Sequence, residues 1–188
     1  MATSEWTVTG IVRRMLPVLV VLTAIELGSG LVLDTFETTL LRYPTLLVLV
    51  PVTIGMAGNL GSILAARFST ALHLGLLSFD ATDERLAGNA VATIALAATV
   101  FPLVGAGAWL LQTLLGGARL DLAAVVVVAL TSGVVLAALA VAVTTVTTYA
   151  AYRFELDPDD VVIPVVTNVC DVLGVLVLFG AVRVVVGG

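Results

Sequence analysis

Long apolar runs separated by short polar connections dominate the chain. Apolar residues continue almost without interruption over residues 11–33, 44–68, 86–115, 122–150 and 160–186. A helix needs about 20 such residues to cross the hydrocarbon core of a bilayer, and each run reaches that length. The runs do not alternate between polar and apolar positions, as the strands of a membrane β-barrel do. The pattern therefore predicts an all-α integral membrane protein with five transmembrane helices.

The connections between the runs are too short to hold a soluble domain. The longest of them is the segment RFSTALHLGLLSFDATDE, between the second and third runs. We therefore expect a single transmembrane domain over residues 1–188. The first run is long, and no small-residue cleavage site followed by a polar domain comes after it. We expect it to remain as a membrane helix and not to be removed as a signal peptide.

Composition supports the membrane assignment and excludes several function classes. Hydrophobic residues make up 60% of the 188 positions and charged residues 11%, whereas soluble domains have about 45–50% apolar and about 25% charged residues. The chain has one cysteine, Cys170, and one histidine, His73, so the sequence offers no Cys/His cluster for zinc. It also has no glycine-rich nucleotide loop and no basic patch. We expect neither an enzyme, nor a nucleic-acid-binding protein, nor a bound cofactor.

The distribution of arginines predicts the orientation in the membrane. Lysine is absent, so the positive-inside rule rests on arginines alone. With a cytoplasmic N-terminus, the cytoplasmic segments hold Arg13, Arg14, Arg67, Arg85 and Arg153, and the outer segments hold Arg42, Arg119 and Arg183. This difference favours a multi-pass protein of the cell membrane with its N-terminus in the cytoplasm and its C-terminus outside.

Two acidic residues, Glu26 and Asp171, lie deep within apolar runs. An ionised group inside a bilayer is costly unless it faces a polar cavity or a partner, so both residues are candidates for function. At 1.5 Å per residue, Asp171 lies about 16 Å and Glu26 about 20 Å along its predicted helix. Asp171 is therefore predicted to lie close to the middle of the membrane.

The segment IPVVTNVCDVLG places further oxygen atoms near Asp171. Thr167 and Asn168 precede Asp171 by four and three residues, so we expect a helix to present all three on one face. Pro164 leaves a backbone carbonyl without its usual donor. Carboxylate, amide, hydroxyl and carbonyl oxygens are the ligands that hard cations such as Mg²⁺ prefer. The segment therefore predicts a cation site.

Asn59 is predicted to lie at a similar depth in the second run, about 14 Å from its cytoplasmic end. Pro51 precedes it, and Gly61 follows that proline by ten residues, a spacing that Pro164 and Gly174 repeat around the aspartate. The prolines and glycines suit a helix that opens its backbone toward a pore. The alternative is a polar network that only holds the helices together.

Glu26 leaves three interpretations open. It lies beside Gly28, Ser29 and Gly30 in the first run. It could form a second cation site, carry a proton in coupled transport, or be a protonated group that is hydrogen-bonded between helices.

Two segments of the chain resemble the MgtE and solute carrier family 41 magnesium transporters. The segment LLVLVPVTIGMAGNLGSILAARFSTALHLG is similar to the family's second helix, with a proline, a Gly-Asn pair and a run of small residues. The segment DPDDVVIPVVTNVCDVLG is similar to the last helix, with its Pro-Asp, Ile-Pro and Thr-x-x-x-Asp signature. The resemblance implies a five-helix unit that dimerises around a central cation pathway, with Asp171 as the principal magnesium ligand.

The chain departs from the resembled family in its regulatory parts. Members called MgtE carry a cytoplasmic N-domain and CBS domains that sense magnesium. Here about ten residues precede the first run, so we expect neither kind of domain. Animal members fuse two five-helix units, so we expect this single unit to pair with itself or with a sister subunit.

Charge favours the dimer as well, because two copies of the midplane aspartate would face one divalent cation with two negative charges. Because Mg²⁺ keeps several water ligands, we expect some of these waters to be held by the side chains of Asn59, Asn168 and Thr167. The favoured function is transport of a divalent cation, magnesium above all, by a dimer in the lipid bilayer, with the second and fifth helices at its axis. The alternative is a non-transporting membrane subunit whose polar residues stabilise an assembly. Channel or exchanger, and import or export, remain open.

Overall fold

The computed structural model of the chain describes residues 7–79 and 83–187, apart from the side chain of Arg14. The helices in these ranges are α1 (Val8–Asp34), α2 (Glu37–Arg42), α3 (Pro44–His73), α4 (Glu84–Leu114), α5 (Leu122–Arg153) and α6 (Pro158–Val186). No strand occurs within the described ranges.

Five of these helices, all except α2, are long and apolar enough to cross a membrane. They have 27 to 32 residues, which corresponds to about 40 to 48 Å at 1.5 Å per residue. This length exceeds the hydrocarbon core of a bilayer, about 30 Å thick. The predicted all-α fold with five membrane spans is confirmed.

The helix ends differ from the predicted ones by up to five residues, most at the end of α3. The second run was predicted to end at residue 68, whereas α3 continues to His73. Polar side chains in this last turn bond to the backbone one turn earlier: the Thr70 hydroxyl donates to the Ala66 carbonyl, and His73 Nδ1 contacts the Ser69 carbonyl oxygen. The helix continues where hydropathy has already fallen, because backbone hydrogen bonds do not depend on apolar side chains.

The short helix α2 was not predicted. It lies in the connection between the first two runs and has six residues, of which Leu40 is buried. An acid in its first turn, Glu37, and a base in its last turn, Arg42, complement the helix dipole. Six residues are too few to produce a hydropathy signal.

Polar residues fix the starts of α4 and α6. Asp83 caps α4, where its carboxylate accepts the backbone N–H of Arg85. Asp157 caps α6 and accepts the backbone N–H of Asp159. The first residue of α6 is Pro158, which has no N–H to leave unpaired at this position.

The helices α3, α5 and α6 pack against one another and form the centre of the bundle, and α4 packs on α5 and α3. Besides a small third cluster, two large apolar clusters fill the interior. One includes Leu49, Val128 and Phe179, and the other includes Phe101 and Val166. Helix α1 contacts α6, and within the chain its most apolar stretch has no buried residue. The bundle therefore leaves most of α1 free to face lipid or another subunit.

Candidate cation site

The antiparallel helices α3 and α6 approach each other closely at glycines. A Cβ atom on Gly61 of α3 would overlap the side chain of Val166 on α6. A Cβ on Gly174 of α6 would come within 2.9 Å of Ile54 Cγ1 on α3. Small residues of this kind allow membrane helices to pack with their backbones close together. The side chains between the two glycines therefore lie directly against the opposite helix.

Asp171 lies between these two contacts, beside Gly58 of α3. Its Oδ1 atom is 3.7 Å from the position that a Cβ of Gly58 would occupy. Asp171 stands 13 residues after the first residue of α6 and 15 before the last, and Gly58 stands 14 and 15 residues from the ends of α3. The carboxylate therefore lies at the middle of both helices, as its predicted depth requires.

The carboxylate of Asp171 is partly exposed, and no hydrogen-bond donor among the described residues reaches it. A carboxylate inside a membrane bundle is costly without a donor, a cation or water. Gly58 has no side chain to fill the adjacent space. The arrangement leaves the Asp171 oxygens accessible to a ligand.

The hydroxyl of Thr167 bonds to its own helix. It donates to the carbonyl oxygens of Ile163 and Pro164, at 3.0 and 3.1 Å. Its methyl carbon Cγ2 faces Gly58, 3.8 Å from the Cβ position. A hydroxyl that donates its proton keeps lone pairs, so the Thr167 oxygen remains able to accept a hydrogen bond from water or to ligate a cation.

Asn168 joins α6 to α1. Its Nδ2 atom donates to Glu26 Oε1 at 2.6 Å and to the Leu22 carbonyl at 3.3 Å. The residue is 4% exposed, so the N–H groups of this buried amide are hydrogen-bonded. Since a cation binds an amide through oxygen, only Oδ1 of this side chain is available as a ligand.

The three polar residues of α6 do not share one contact surface. Thr167 and Asp171 face α3, whereas Asn168 faces α1. Neighbouring residues on an α-helix differ by about 100° in direction, so Thr167 and Asn168 point to different helices. Asp171 lies at an angle between them. The sequence spacing predicted one shared face for the three residues, whereas in the packed bundle they contact different helices.

Glu26 brings a second carboxylate to the same region. It is exposed within the chain, accepts the Asn168 hydrogen bond, and acts electrostatically on Asp171. Of the three interpretations of Glu26, a hydrogen bond between helices is observed, and it requires no proton on Glu26 because the amide is the donor. One midplane carboxylate per chain was predicted, whereas the structure brings a second one, Glu26, near Asp171.

Asn59 lies at the level of Asp171 but on a different side of α3. It is exposed, whereas Gly58 and Gly61 are buried against α6. It has no hydrogen-bond partner within the described part of the chain. Within one chain, Asn59 and Asp171 therefore lie at the same depth, but their side chains do not meet.

The acidic and imidazole groups of one chain do not complete a metal cluster. Across residues 7–79 and 83–187, no three His, Cys, Asp or Glu side chains come together. A Mg²⁺ ion at Asp171 would take its remaining ligands from water, from amide or carbonyl oxygens, or from a second chain. Such a sparse protein ligand set suits Mg²⁺, which usually retains several waters.

Gly58 lies beside Asp171 and was not among the predicted site residues. The signal is present in the segment GMAGNLGS, where small residues recur around Asn59. Small residues also mark ordinary helix packing. The tertiary structure adds that Gly58 lies against Asp171 and Thr167 of α6.

Comparison with known proteins agrees with the two resembling segments. A family model described as "MgtE: Divalent cation transporter" matches residues 50–181, which is more than half of the chain. The chain is also similar to "Solute carrier family 41 member 3" of Rattus norvegicus, with 28% identity over 159 residues, covering 80% of this chain and 34% of that protein. The chain thus spans about one third of the length of this relative. The resemblance inferred from the motifs is confirmed.

Proposed function

We propose that this chain, which belongs to the MgtE family of divalent cation transporters, carries magnesium across the membrane along a pathway that passes Asp171. The position of this residue is the observation that carries the proposal. Asp171 lies in the middle of two packed membrane helices, partly exposed and without a donor among the described residues. A membrane protein retains such a group at a cost, which a cation pathway explains.

The Asp171 carboxylate supplies the charge that attracts the cation. Gly58 places no side chain beside this carboxylate, whose Oδ1 atom lies 3.7 Å from the position that a Cβ would occupy. Mg²⁺ dehydrates reluctantly. We therefore expect Asp171 to hold the ion directly or through one water, while the Thr167 oxygen, which lies on the same side of α6, holds a further water.

Glu26 adds a second negative charge to this region in our proposal. Its bond to Asn168 fixes the carboxylate at the seam between α1 and α6. Two carboxylates that interact in a medium of low dielectric constant repel each other. A divalent cation between or beside them removes that repulsion, so the pair favours a divalent over a monovalent ion.

We further propose that two copies of the chain, or this chain and a sister subunit, form the pathway. A face of α3 with residues at four-residue spacing remains exposed in the single chain, including Pro51, Gly55, Asn59 and Ile63. A two-fold axis along this face would bring both Asn59 side chains into the pathway near the two aspartates. The subunit contact would cover a face that one chain leaves open.

The second candidate function is a non-transporting subunit whose polar residues hold helices together. The hydrogen bond between Asn168 and Glu26 favours it, because this bond links α6 to α1. It gives roles to those two residues but leaves Asp171 without one.

Magnesium flux into liposomes tests the two functions. Purified protein is reconstituted with an enclosed magnesium-sensitive dye, and uptake is measured under an imposed gradient for the parent, Asp171→Asn and Asp121→Asn. Asp121 is exposed before α5 and its side chain makes no capping bond, so its substitution removes the same charge away from the site. We expect at least a tenfold loss of flux for Asp171→Asn and none for Asp121→Asn. Parental flux in Asp171→Asn would contradict the cation pathway.

A further inference from the structure

A cavity remote from Asp171 lies where α2 meets the C-terminal end of α6. Its volume is about 410 Å³. Arg183 in its wall lies 12 residues beyond Asp171 along α6, or about 18 Å by helical rise. The side chains that matter for its chemistry are Phe36, Thr38, Thr39, Arg42, Phe179 and Arg183. The cation site does not use this cavity.

Two arginines from different helices converge on the cavity. Arg42 ends α2 and Arg183 lies in the last turn of α6. Neither guanidinium forms an ion pair with an acid in the described part of the chain. The Arg42 guanidinium carbon lies 5.2 Å from the centre of the Tyr43 ring, a contact that leaves its N–H groups free to donate. Two cationic, fork-shaped donors are therefore available on one cavity.

The cavity wall carries basic and no acidic side chains among the described residues, although the chain has a net charge of −5 and Asp34 and Glu37 adjoin its lining residues in the sequence. A third arginine, Arg119, donates to the backbone carbonyl of Arg42 at 3.3 Å and adds its charge nearby. The C-terminal end of α6 opposes these charges with about half a negative charge, which is smaller than the two full charges of Arg42 and Arg183.

The remaining lining has a polar and an apolar part. The hydroxyls of Thr38 and Thr39 make no hydrogen bond among the described residues, so they can donate to a ligand. On the other side, the ring of Phe36 stacks on Phe179, with ring centres 3.9 Å apart. Guanidinium groups and hydroxyls can donate hydrogen bonds to the oxygens of a phosphate group. The stacked rings offer an apolar surface to the acyl chain of a phospholipid.

We propose that this cavity binds a phosphoryl group, the chemistry shared by the headgroup of an anionic phospholipid and by free phosphate. The cavity lies at the ends of membrane-spanning helices, which is the depth of lipid headgroups. Arg42 and Arg183 hold the phosphoryl oxygens, and Thr38 and Thr39 donate to them. Occupancy ties α2 to the end of α6 and so stabilises the folded bundle.

Thermal unfolding in neutral detergent tests this site without any measurement of cation transport. The melting temperature of the parent is measured in magnesium-free buffer with added phosphatidylglycerol or with phosphatidylcholine of the same acyl chains. A parallel arm compares inorganic phosphate with chloride at equal ionic strength. A ligand at tenfold its Kd should raise the melting temperature by about 3–5 °C. A shift with phosphatidylglycerol that exceeds the shift with phosphatidylcholine, whose phosphate charge is offset by choline, and that inorganic phosphate does not reproduce identifies an anionic lipid headgroup. An equal shift with inorganic phosphate identifies the free anion, and equal shifts with the two lipids overturn the proposal.

Substitutions of the cavity arginines test whether the shift in melting temperature arises at the cavity. We expect Arg42→Gln/Arg183→Gln to lose the shift, and Arg13→Gln/Arg153→Gln, which removes two exposed arginines outside the cavity, to keep it. If the cavity double variant does not fold, Arg183→Gln alone should lose at least half of the shift. The proposal is overturned if neither ligand shifts the parent, or if the cavity variants keep the parental shift.

Discussion

The amide of Asn168 in α6 donates a hydrogen bond of 2.6 Å to the carboxylate of Glu26 in α1. This bond joins the least buried long helix of the bundle to the helix that carries Asp171. It also holds a second acid within electrostatic range of that aspartate. The contact therefore has both a structural and an electrostatic effect, which two substitutions of one residue can separate.

Glu26→Ala and Glu26→Gln should differ in stability. Alanine leaves the buried Asn168 amide with the Leu22 carbonyl alone, and we expect a loss of about 1–3 kcal/mol in the free energy of unfolding. Glutamine still offers an oxygen to the amide, so it should stay close to the parent, while both variants lose the charge near Asp171. Melting temperatures in metal-free buffer, and their increase on adding magnesium, measure the two effects. Equal stability of the two variants would show that the hydrogen bond contributes little.

Asp171→Asn should abolish stabilisation by magnesium together with flux, because a ligand stabilises the state that binds it. In metal-free buffer the variant should be at least as stable as the parent, since the repulsion between Asp171 and Glu26 is removed. Melting temperature with and without magnesium checks both statements, and Asp121→Asn serves as the control. A full magnesium response in Asp171→Asn would rule out this residue as the main ligand.

Gly58→Ala and Gly61→Ala should fail in different ways. The new methyl at Gly58 meets Asp171 Oδ1 and Thr167 Cγ2 at ordinary contact distances, so the fold should remain while magnesium flux falls. At Gly61 the methyl overlaps Val166, which should cost about 1–3 kcal/mol through overpacking.

Gly107→Ala is the control for both substitutions, because nothing lies within 4 Å of its Cβ position. It should gain stability, by up to about 1 kcal/mol from helix propensity. Flux and melting temperature are measured for all three variants. Unchanged flux in Gly58→Ala would mean that the ion does not use the space beside Asp171.

Asn59→Leu should weaken magnesium flux without unfolding the protein. The side chain is exposed in the single chain and has no partner among the described residues, so its loss breaks no internal hydrogen bond. Flux in liposomes and the elution volume in size-exclusion chromatography separate transport from assembly. A correctly assembled variant with parental flux would limit Asn59 to a packing role.

Asp83 predicts a pH dependence at the start of α4. The backbone N–H of Ser78 donates to its carboxylate, with further donors at Arg85, Leu86 and the Ser78 hydroxyl, and together they lower the pKa of Asp83 below its ordinary 3.8. Because the folded state lowers this pKa, the charged carboxylate contributes stability above pH 3.8, and the contribution is lost as the pH falls through the lower, folded-state pKa. The melting temperatures of the parent and Asp83→Asn should therefore differ at neutral pH and converge in acid. A difference that is independent of pH would contradict this origin.

The five membrane spans and the depth of Asp171 follow from the sequence alone. Both depend on local properties, namely the length of an apolar run and a fixed rise per residue. The family assignment also came from residues close together in the chain, the segments around Asn59 and Asp171. Helix α2 escaped prediction because it is short and its single buried residue, Leu40, gives no periodic signal.

Only the tertiary structure decided which partner each polar side chain has. Asn168 turns to Glu26, Asp171 lies against Gly58, and Asn59 stays exposed. In a soluble protein, an apolar stripe along the helix shows which side is buried. A membrane helix is apolar on every side, because the lipid and the protein interior are equally apolar. Its rotation is fixed by close packing at small residues and by interhelical hydrogen bonds, which pair positions far apart in the chain. The sequence therefore determines how deep each polar group lies, and packing determines what it faces.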